Sequence, residues 1–159
     1  MSEFCVAAHK GDIDTVKHLL SQGVDVNSKG IEDMTGLISA SEAGHVDIVR
    51  YLLANPTIDV NSVSESNISA LFEAASAGNT EIVSMLLAVP EIQVNVQSAG
   101  GSTALIEACA GGHLEIVRKL LKVPGINIHY KTCLGHDALK YARGHNYTEI
   151  VAELLKYEQ

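Results

Sequence analysis

The stretch Thr103-Ala104-Leu105-Ile106-Glu107-Ala108-Cys109-Ala110-Gly111-Gly112-His113-Leu114-Glu115-Ile116-Val117-Arg118-Lys119-Leu120-Leu121 decides the fold. Leu105, Ala108 and Cys109 recur at helical spacing, and Thr103 stands where a hydroxyl can cap the first turn. Gly112 ends that helix, because glycine tolerates positive φ without strain. Ile116, Val117, Leu120 and Leu121 mark one face of a second helix, which Pro124 stops. Ile126-Asn127-Ile128 alternates as a short extended segment, and a polar or Gly-rich tip leads to the next capping residue. The unit reads as helix, turn, helix and hairpin finger.

Outward from this stretch the same grammar returns. Leu19-Leu20, Leu52-Leu53, Leu86-Leu87, Leu120-Leu121 and Leu154-Leu155 are spaced by 33, 34, 34 and 34 residues. Gly11, Gly44, Gly78 and Gly112 keep nearly the same step, with Asn146 in the fifth place. Ala7, Ala40, Ala74, Ala108 and Ala142 move with them, as do Val26-Asn27, Val60-Asn61, Val94-Asn95 and Ile128-His129. Registers that advance together define stacked units that bury their apolar faces on one another. The expected fold is an all-α repeat solenoid of helix-turn-helix units joined by short β-hairpin fingers. A single domain over 1–159 is expected, with units of about 1–29, 30–63, 64–97, 98–131 and 132–159. The first and last units read as polar caps, the last ending in Lys156-Tyr157-Glu158-Gln159, so the array is expected to be complete.

The chain's 159 residues are 47% apolar and 19% charged, which supports a core and excludes intrinsic disorder. Only 4% are aromatic and none is Trp, so Ala, Leu, Ile and Val must fill that core. Neither a signal peptide nor a membrane span is visible. Cys5, Cys109 and Cys133 are too few and too far apart for a disulfide framework, which implies a reducing intracellular compartment, the cytoplasm or else the nucleus. The net charge of −8 is uneven. From Glu32 to Gln97 nine acids face one base, Arg50. Such a field repels nucleic acid and anionic membranes and attracts a basic partner.

The segments Thr35-Gly36-Leu37-Ile38-Ser39-Ala40, Ser69-Ala70-Leu71-Phe72-Glu73-Ala74 and Thr103-Ala104-Leu105-Ile106-Glu107-Ala108 resemble the start of the ankyrin repeat, a motif of about 33 residues. Gly44-His45-Val46-Asp47-Ile48-Val49 and Gly112-His113-Leu114-Glu115-Ile116-Val117 are similar to that family's second-helix start. The family's Pro after the capping Thr is absent. Its His is replaced by Ile38, Phe72, Ile106 and Lys140, which removes a hydrogen-bonding relay. The resemblance implies a protein-binding module whose partners dock on the concave face. It also implies that Asn27, Asn61 and Asn95 stand where family members are hydroxylated, with Asp25-Val26-Asn27 and Asp59-Val60-Asn61 matching best.

No phosphate-binding loop, dinucleotide fingerprint, nucleophile elbow or zinc-protease motif is present, so no catalytic residue and no cofactor is expected. His129, Cys133 and His136 cluster around the last finger but lack a fourth ligand, so no metal site is expected. Glu73 and Glu107 hold equivalent places one repeat apart, where each is expected to perturb the other little.

The candidate binding residues lie on the expected concave side. Finger tips supply Ile31, Glu32, Met34, Glu65, Ile68, Ser102, Leu134 and His136, and the inner-helix floor supplies Glu42 and Ser76. A row of apolar tips ringed by acids reads as an interaction patch rather than as packing between fingers. The small residues Ser76, Ala77, Ala110 and Gly111 open a shallow groove, or else simply let the repeats stack closely. The expected function is non-enzymatic binding of a basic segment with apolar anchors by a monomer. An inhibitory subunit that masks an enzyme or transcription factor is the alternative, and an oligomeric scaffold a more distant one.

Overall fold

Five helix pairs follow one another along the computed structural model, which describes residues 2–157. The pairs are α1 (Glu3–Lys10) with α2 (Ile13–Ser21), α3 (Gly36–Ala43) with α4 (Val46–Leu53), α5 (Ala70–Ser76) with α6 (Thr80–Leu87), α7 (Ala104–Ala110) with α8 (Leu114–Leu121), and α9 (Ala138–Gly144) with α10 (Thr148–Tyr157). Met1, Glu158 and Gln159, the outermost residues of the expected caps, lie outside the described range. The odd-numbered helices form an inner row, each packed on the next, and the even-numbered ones form a sparser outer row.

Local chemistry sets each helix end. The side chains of Thr35, Ser69, Thr103 and Asp137 accept from the N–H groups of Ile38, Phe72, Ile106 and Lys140, capping the four later inner helices. The turn between the paired helices passes through positive φ at Gly11, Gly44, Gly78, Gly112 and Asn146, as the register predicts. Gly78 is constrained twice, because a Cβ there would also lie 2.6 Å from the His113 ring.

The core is a strip of buried aliphatics running the length of the stack. Ile38 and Ile106, which replace the family's His, are 1% and 2% exposed. A polar relay is thus exchanged for apolar packing at those positions. The leucine pairs are not equivalent. Leu52, Leu86 and Leu120 are fully buried, whereas Leu53 and Leu87 are only partly buried. Successive helical residues point about 100° apart, so only one of each pair can face the core squarely. Leu121 is the exception at 3% exposed.

The fingers differ from the expected β-hairpins. Among the described residues they contain no strand, only isolated antiparallel bridges between Lys29 and Thr35 and between Val63 and Ser69. Each finger closes through two main-chain bonds at its tip, such as Gly30 N–H to Met34 O at 2.8 Å with Met34 N–H to Ile31 O at 3.0 Å, and Ser64 N–H to Ile68 O at 3.0 Å with Asn67 N–H to Ser64 O at 2.9 Å. Below the tip the backbone pairs with a side chain of the preceding repeat. The N–H groups of Asp59, Gln93 and Asn127 donate to the Oδ1 atoms of Asn27, Asn61 and Asn95 at 2.8–2.9 Å. Ile126-Asn127-Ile128 therefore has no strand partner to seek.

Truncating Leu86 to Ala is expected to cost about 2–5 kcal/mol, the range for deleting a fully buried leucine. Leu87→Ala is expected to cost distinctly less. Chemical denaturation of the two variants checks the order, and equal losses would place the second leucine in the core after all.

Candidate functional site

Numbered by the unit each opens, the second to fifth fingers have their tips at 30–34, 64–68, 98–102 and 132–136, and stacking puts them side by side. The tips are tied in sequence by Glu65 N–H to Glu32 O at 2.9 Å, Ala99 N–H to Ser66 O at 2.8 Å and Cys133 N–H to Gly100 O at 2.8 Å. Between the second and third fingers and helices α1, α3 and α5 lies an open groove of about 390 Å³. Its rim carries Ile31, Glu32, Met34 and Ile68; its floor carries Ser39, Glu42 and Glu73; its near wall carries Cys5, Val6 and His9.

Five of the sequence-derived candidates thus meet in one place: Ile31, Glu32, Met34, Glu42 and Ile68. Glu65 is exposed at the tip of the third finger but does not line the groove. Ser76 is exposed at the far end of α5 and its hydroxyl lies 3.4 Å from Glu107 Oε2. Ser102 is a correction. It is 7% exposed and its hydroxyl donates to Glu107 Oε1 at 2.6 Å, so it braces the fourth finger instead of meeting solvent. Leu134, 70% exposed, and His136, whose ring meets Tyr141 edge-on at 5.5 Å, belong to the fifth finger. The apolar row breaks before reaching them, because the fourth finger offers only Ala99, Gly100 and Gly101. The small residues of the floor also have a packing role: a Cβ on Gly111 would lie 2.5 Å from His113 Nε2. That imidazole reaches Ser76 O of the preceding repeat at 3.2 Å, as His45 reaches His9 O at 2.9 Å.

Three of the groove residues that sequence reasoning missed share one register. Val6, Ser39 and Glu73 occupy the same place in successive units, three residues before His9, Glu42 and Ser76, and Glu107 holds that place in the next unit, outside the groove. Positions three apart lie on one helical face, so the register that singled out Glu42 could also have singled out Ser39 and Glu73.

The second finger is strained where it lines the groove. Glu32 and Asp33 both hold positive φ, at 54° and 59°. In the third finger Asn67 alone does so, at 59°. Non-glycine residues in this region cost energy and persist only where surrounding contacts impose them. Here the tip is held by the Glu65–Glu32 main-chain bond and by a Lys29–Asp33 ion pair of 3.1 Å.

Electrostatically the groove is acidic. Burial, and then the charges of Glu42 and Glu107, push the Glu73 carboxyl up to about 6. The expectation that Glu73 and Glu107 scarcely affect each other is therefore corrected, although desolvation is the larger cause. His9 Nδ1 faces Glu42 Oε2 at 3.6 Å. Burial raises the Cys5 thiol and pushes that of Cys109 up to about 12, so neither is a ready nucleophile. Among the described residues no group of three His, Cys, Asp or Glu is placed to hold a metal ion, and no helix is long and apolar enough to cross a membrane. Cys133 is exposed at the fifth finger tip, and His129 N–H is bonded to Asn127 Oδ1.

Several charges of the opposite face are paired. Arg50 meets Glu81 at 2.9 Å, Arg118 meets Glu115 at 2.7 Å and Glu153 at 3.1 Å, and Lys17 lies 5.3 Å above the Tyr51 ring.

A helical-repeat solenoid with a finger row and an acidic groove on the finger side is the architecture of a binding module. A family model described as ankyrin repeats in three copies matches the chain twice, at residues 4–98 and 71–159. The chain belongs to the ankyrin-repeat family, a family of non-enzymatic protein–protein interaction modules.

Glu73 has a folded-state pKa above its ordinary value, so its ionisation opposes folding. The penalty is absent below about pH 4.5, grows as pH rises towards about 6, and is complete above that. Glu73→Gln is therefore expected to raise the melting midpoint at pH 7.5 and to leave it unchanged at pH 4. A variant no more stable than the parent at pH 7.5 would show that the carboxylate is well solvated.

Proposed function

We propose that the chain holds a basic segment of a partner protein on its concave face, with apolar side chains of that segment anchored between the second and third fingers. One observation carries this reading. A groove of about 390 Å³ joins Ile31, Met34 and Ile68 to Glu32, Glu42 and Glu73 at the most acidic part of the chain. Apolar contact there supplies residence time, and the surrounding carboxylates steer a cationic segment inward. On the outer helices Tyr51, Leu155 and Tyr157 are exposed, but the clefts beside Tyr51 and Tyr157 are lined by no carboxylate except Glu153, which is paired with Arg118 and Lys156.

The side chains are not interchangeable as probes. Ile31 is 57% exposed and does little for the stack. Met34 packs partly against the core, so its truncation costs stability as well as binding. Arg118 is unsuitable for a charge-reversal control, because it bridges Glu115 and Glu153.

With the purified partner in hand, Ile31→Ala is expected to speed dissociation, costing about 1–2 kcal/mol if the side chain fills a partner pocket. Replacing Glu32, Glu42 and Glu65 together by Lys is expected to slow association and flatten its salt dependence. Reversing Lys119 and Lys122 on the far side is expected to leave both rates unchanged. Surface plasmon resonance at two salt concentrations reads all three. Silent groove variants beside a disabling far-side pair would move the interface to the outer helices.

A further inference from the structure

We propose that the groove is a receptor for one lysine side chain of the partner: its ammonium sits among Ser39, Glu42 and Glu73, and its methylene stem lies along Ile31, Met34 and Ile68. The proposal rests on the concave-face reading above and names what anchors there.

The first argument is a hydroxyl without a partner. Ser39 is 4% exposed, lines the groove, and makes no side-chain hydrogen bond among the described residues. Its oxygen is not among the fully enclosed hydroxyls that lack a partner, which are those of Ser28 and Ser41, so it stays accessible in the groove that Ser39 lines. It offers an acceptor at the bottom of the cavity.

The second argument is the contrast between Glu73 and Glu107, which share a register. Ser102 and Ser76 hydroxyls meet the Glu107 carboxylate at 2.6 and 3.4 Å. Glu73 is half-buried and its carboxylate accepts no hydrogen bond among the described residues. The charges of Glu42 on α3 and Glu107 on α7 act on it, and Glu32, His9 and Lys10 line the same groove. Three carboxylates line the groove, and its only fixed cation is Lys10, which makes no ion pair among the described residues. A cation entering here relieves a deficit that the chain leaves open.

The third argument selects the cation. Ser39, Glu42 and Glu73 come from two helices and lie at different depths, being buried, exposed and half-buried. An ammonium is compact and directs three donors as a tripod, so it can meet acceptors that do not share a plane. A guanidinium is a flat fork suited to one carboxylate face-on. The apolar rim suits the lysine stem, which buries its methylenes while its head stays polar.

A pH response follows. A bound ammonium requires Glu73 to be ionised, and burial and its acidic neighbours hold that group at about 6. At pH 5 about one tenth of it is ionised in the free protein, so affinity is expected to be about tenfold weaker than at pH 7.5.

The probe is a seven-residue peptide, acetylated and amidated, with a central lysine flanked by leucines. Parallel peptides carry arginine, acetyl-lysine or norleucine at the centre. Nuclear magnetic resonance titration of the ¹⁵N-labelled protein reads site and affinity together. All arms use a His9→Gln background, which removes the imidazole that faces Glu42 at 3.6 Å. The lysine peptide is expected to shift the amides of Ser39, Glu42, Ile68 and Glu73, and to bind at least tenfold more tightly than the acetyl-lysine and norleucine peptides. The arginine peptide is expected to bind more weakly than the lysine one. The tenfold loss between pH 7.5 and pH 5 is expected to vanish in Glu73→Gln, and Ser39→Ala is expected to weaken the lysine peptide alone. Thermal melts confirm that both variants fold. Equal binding of norleucine or arginine, a pH response that survives Glu73→Gln, or no shifts at millimolar peptide would overturn the lysine receptor. Shifts that still map to the fingers would leave the concave-face reading standing. Shifts confined to α2, α4, α6 and α8 would overturn both.

Discussion

The second, third and fourth repeats of this protein are each completed by a side-chain amide of the one before. Asn27 Nδ2 donates to Thr57 O at 2.8 Å while its Oδ1 accepts from Asp59 N–H at 2.8 Å, and Asn61 does the same to Glu91 and Gln93. Asn95 continues the pattern at Gly125 and Asn127. A loop with no strand partner would otherwise leave its backbone groups to water. With both atoms of the amide engaged, the loop can neither slide nor twist without losing two bonds at once. The 34-residue step of the later units is thus enforced by hydrogen bonds on one edge of the stack, by His45, Asn79 and His113 reaching preceding carbonyls in its middle, and by main-chain bonds between finger tips on the other edge. A lattice pinned at three heights leaves the finger and floor side chains free to vary.

That freedom explains where the groove falls. The fourth finger ends in Ala99-Gly100-Gly101 and has nothing to build a wall with. The second and third end in Ile31-Glu32-Asp33-Met34 and Glu65-Ser66-Asn67-Ile68, which give two apolar walls and an acidic lip. The unusual backbone at Glu32 fits the same account. Two successive residues at positive φ tighten the second finger's tip beyond that of its neighbour, and the tip-to-tip bond from Glu65 holds the result.

The fold was legible because periodicity is a property of the chain itself. Positions such as Gly78 or Thr103 state their role through recurrence, and the structure places them at the turn and the cap. The site was only partly legible, for the opposite reason: it lies where the repeats differ. Ile31, Met34 and Ile68 were visible as apolar residues at tips. Ser102 was misplaced because position in the register does not reveal that its hydroxyl turns inward to Glu107. Leu134 was grouped with the others because sequence distance conceals the gap left by the fourth finger. Which leucine of each pair reaches the core was not legible either, since a shared helix face does not say which of two adjacent residues points inward.

Glu73 marks the point where stability and recognition part. A half-buried carboxylate facing two others weakens the stack at neutral pH. A globular core would spread that penalty through every contact. In a solenoid each repeat touches only its neighbours, so the cost stays with α3, α5 and α7 while the outer units keep their own packing. The array therefore tolerates in its centre an acidic groove that a single-core protein of this size could ill sustain. Under the proposed reading, the charge that costs the free protein stability is the one a cationic partner would neutralise on arrival.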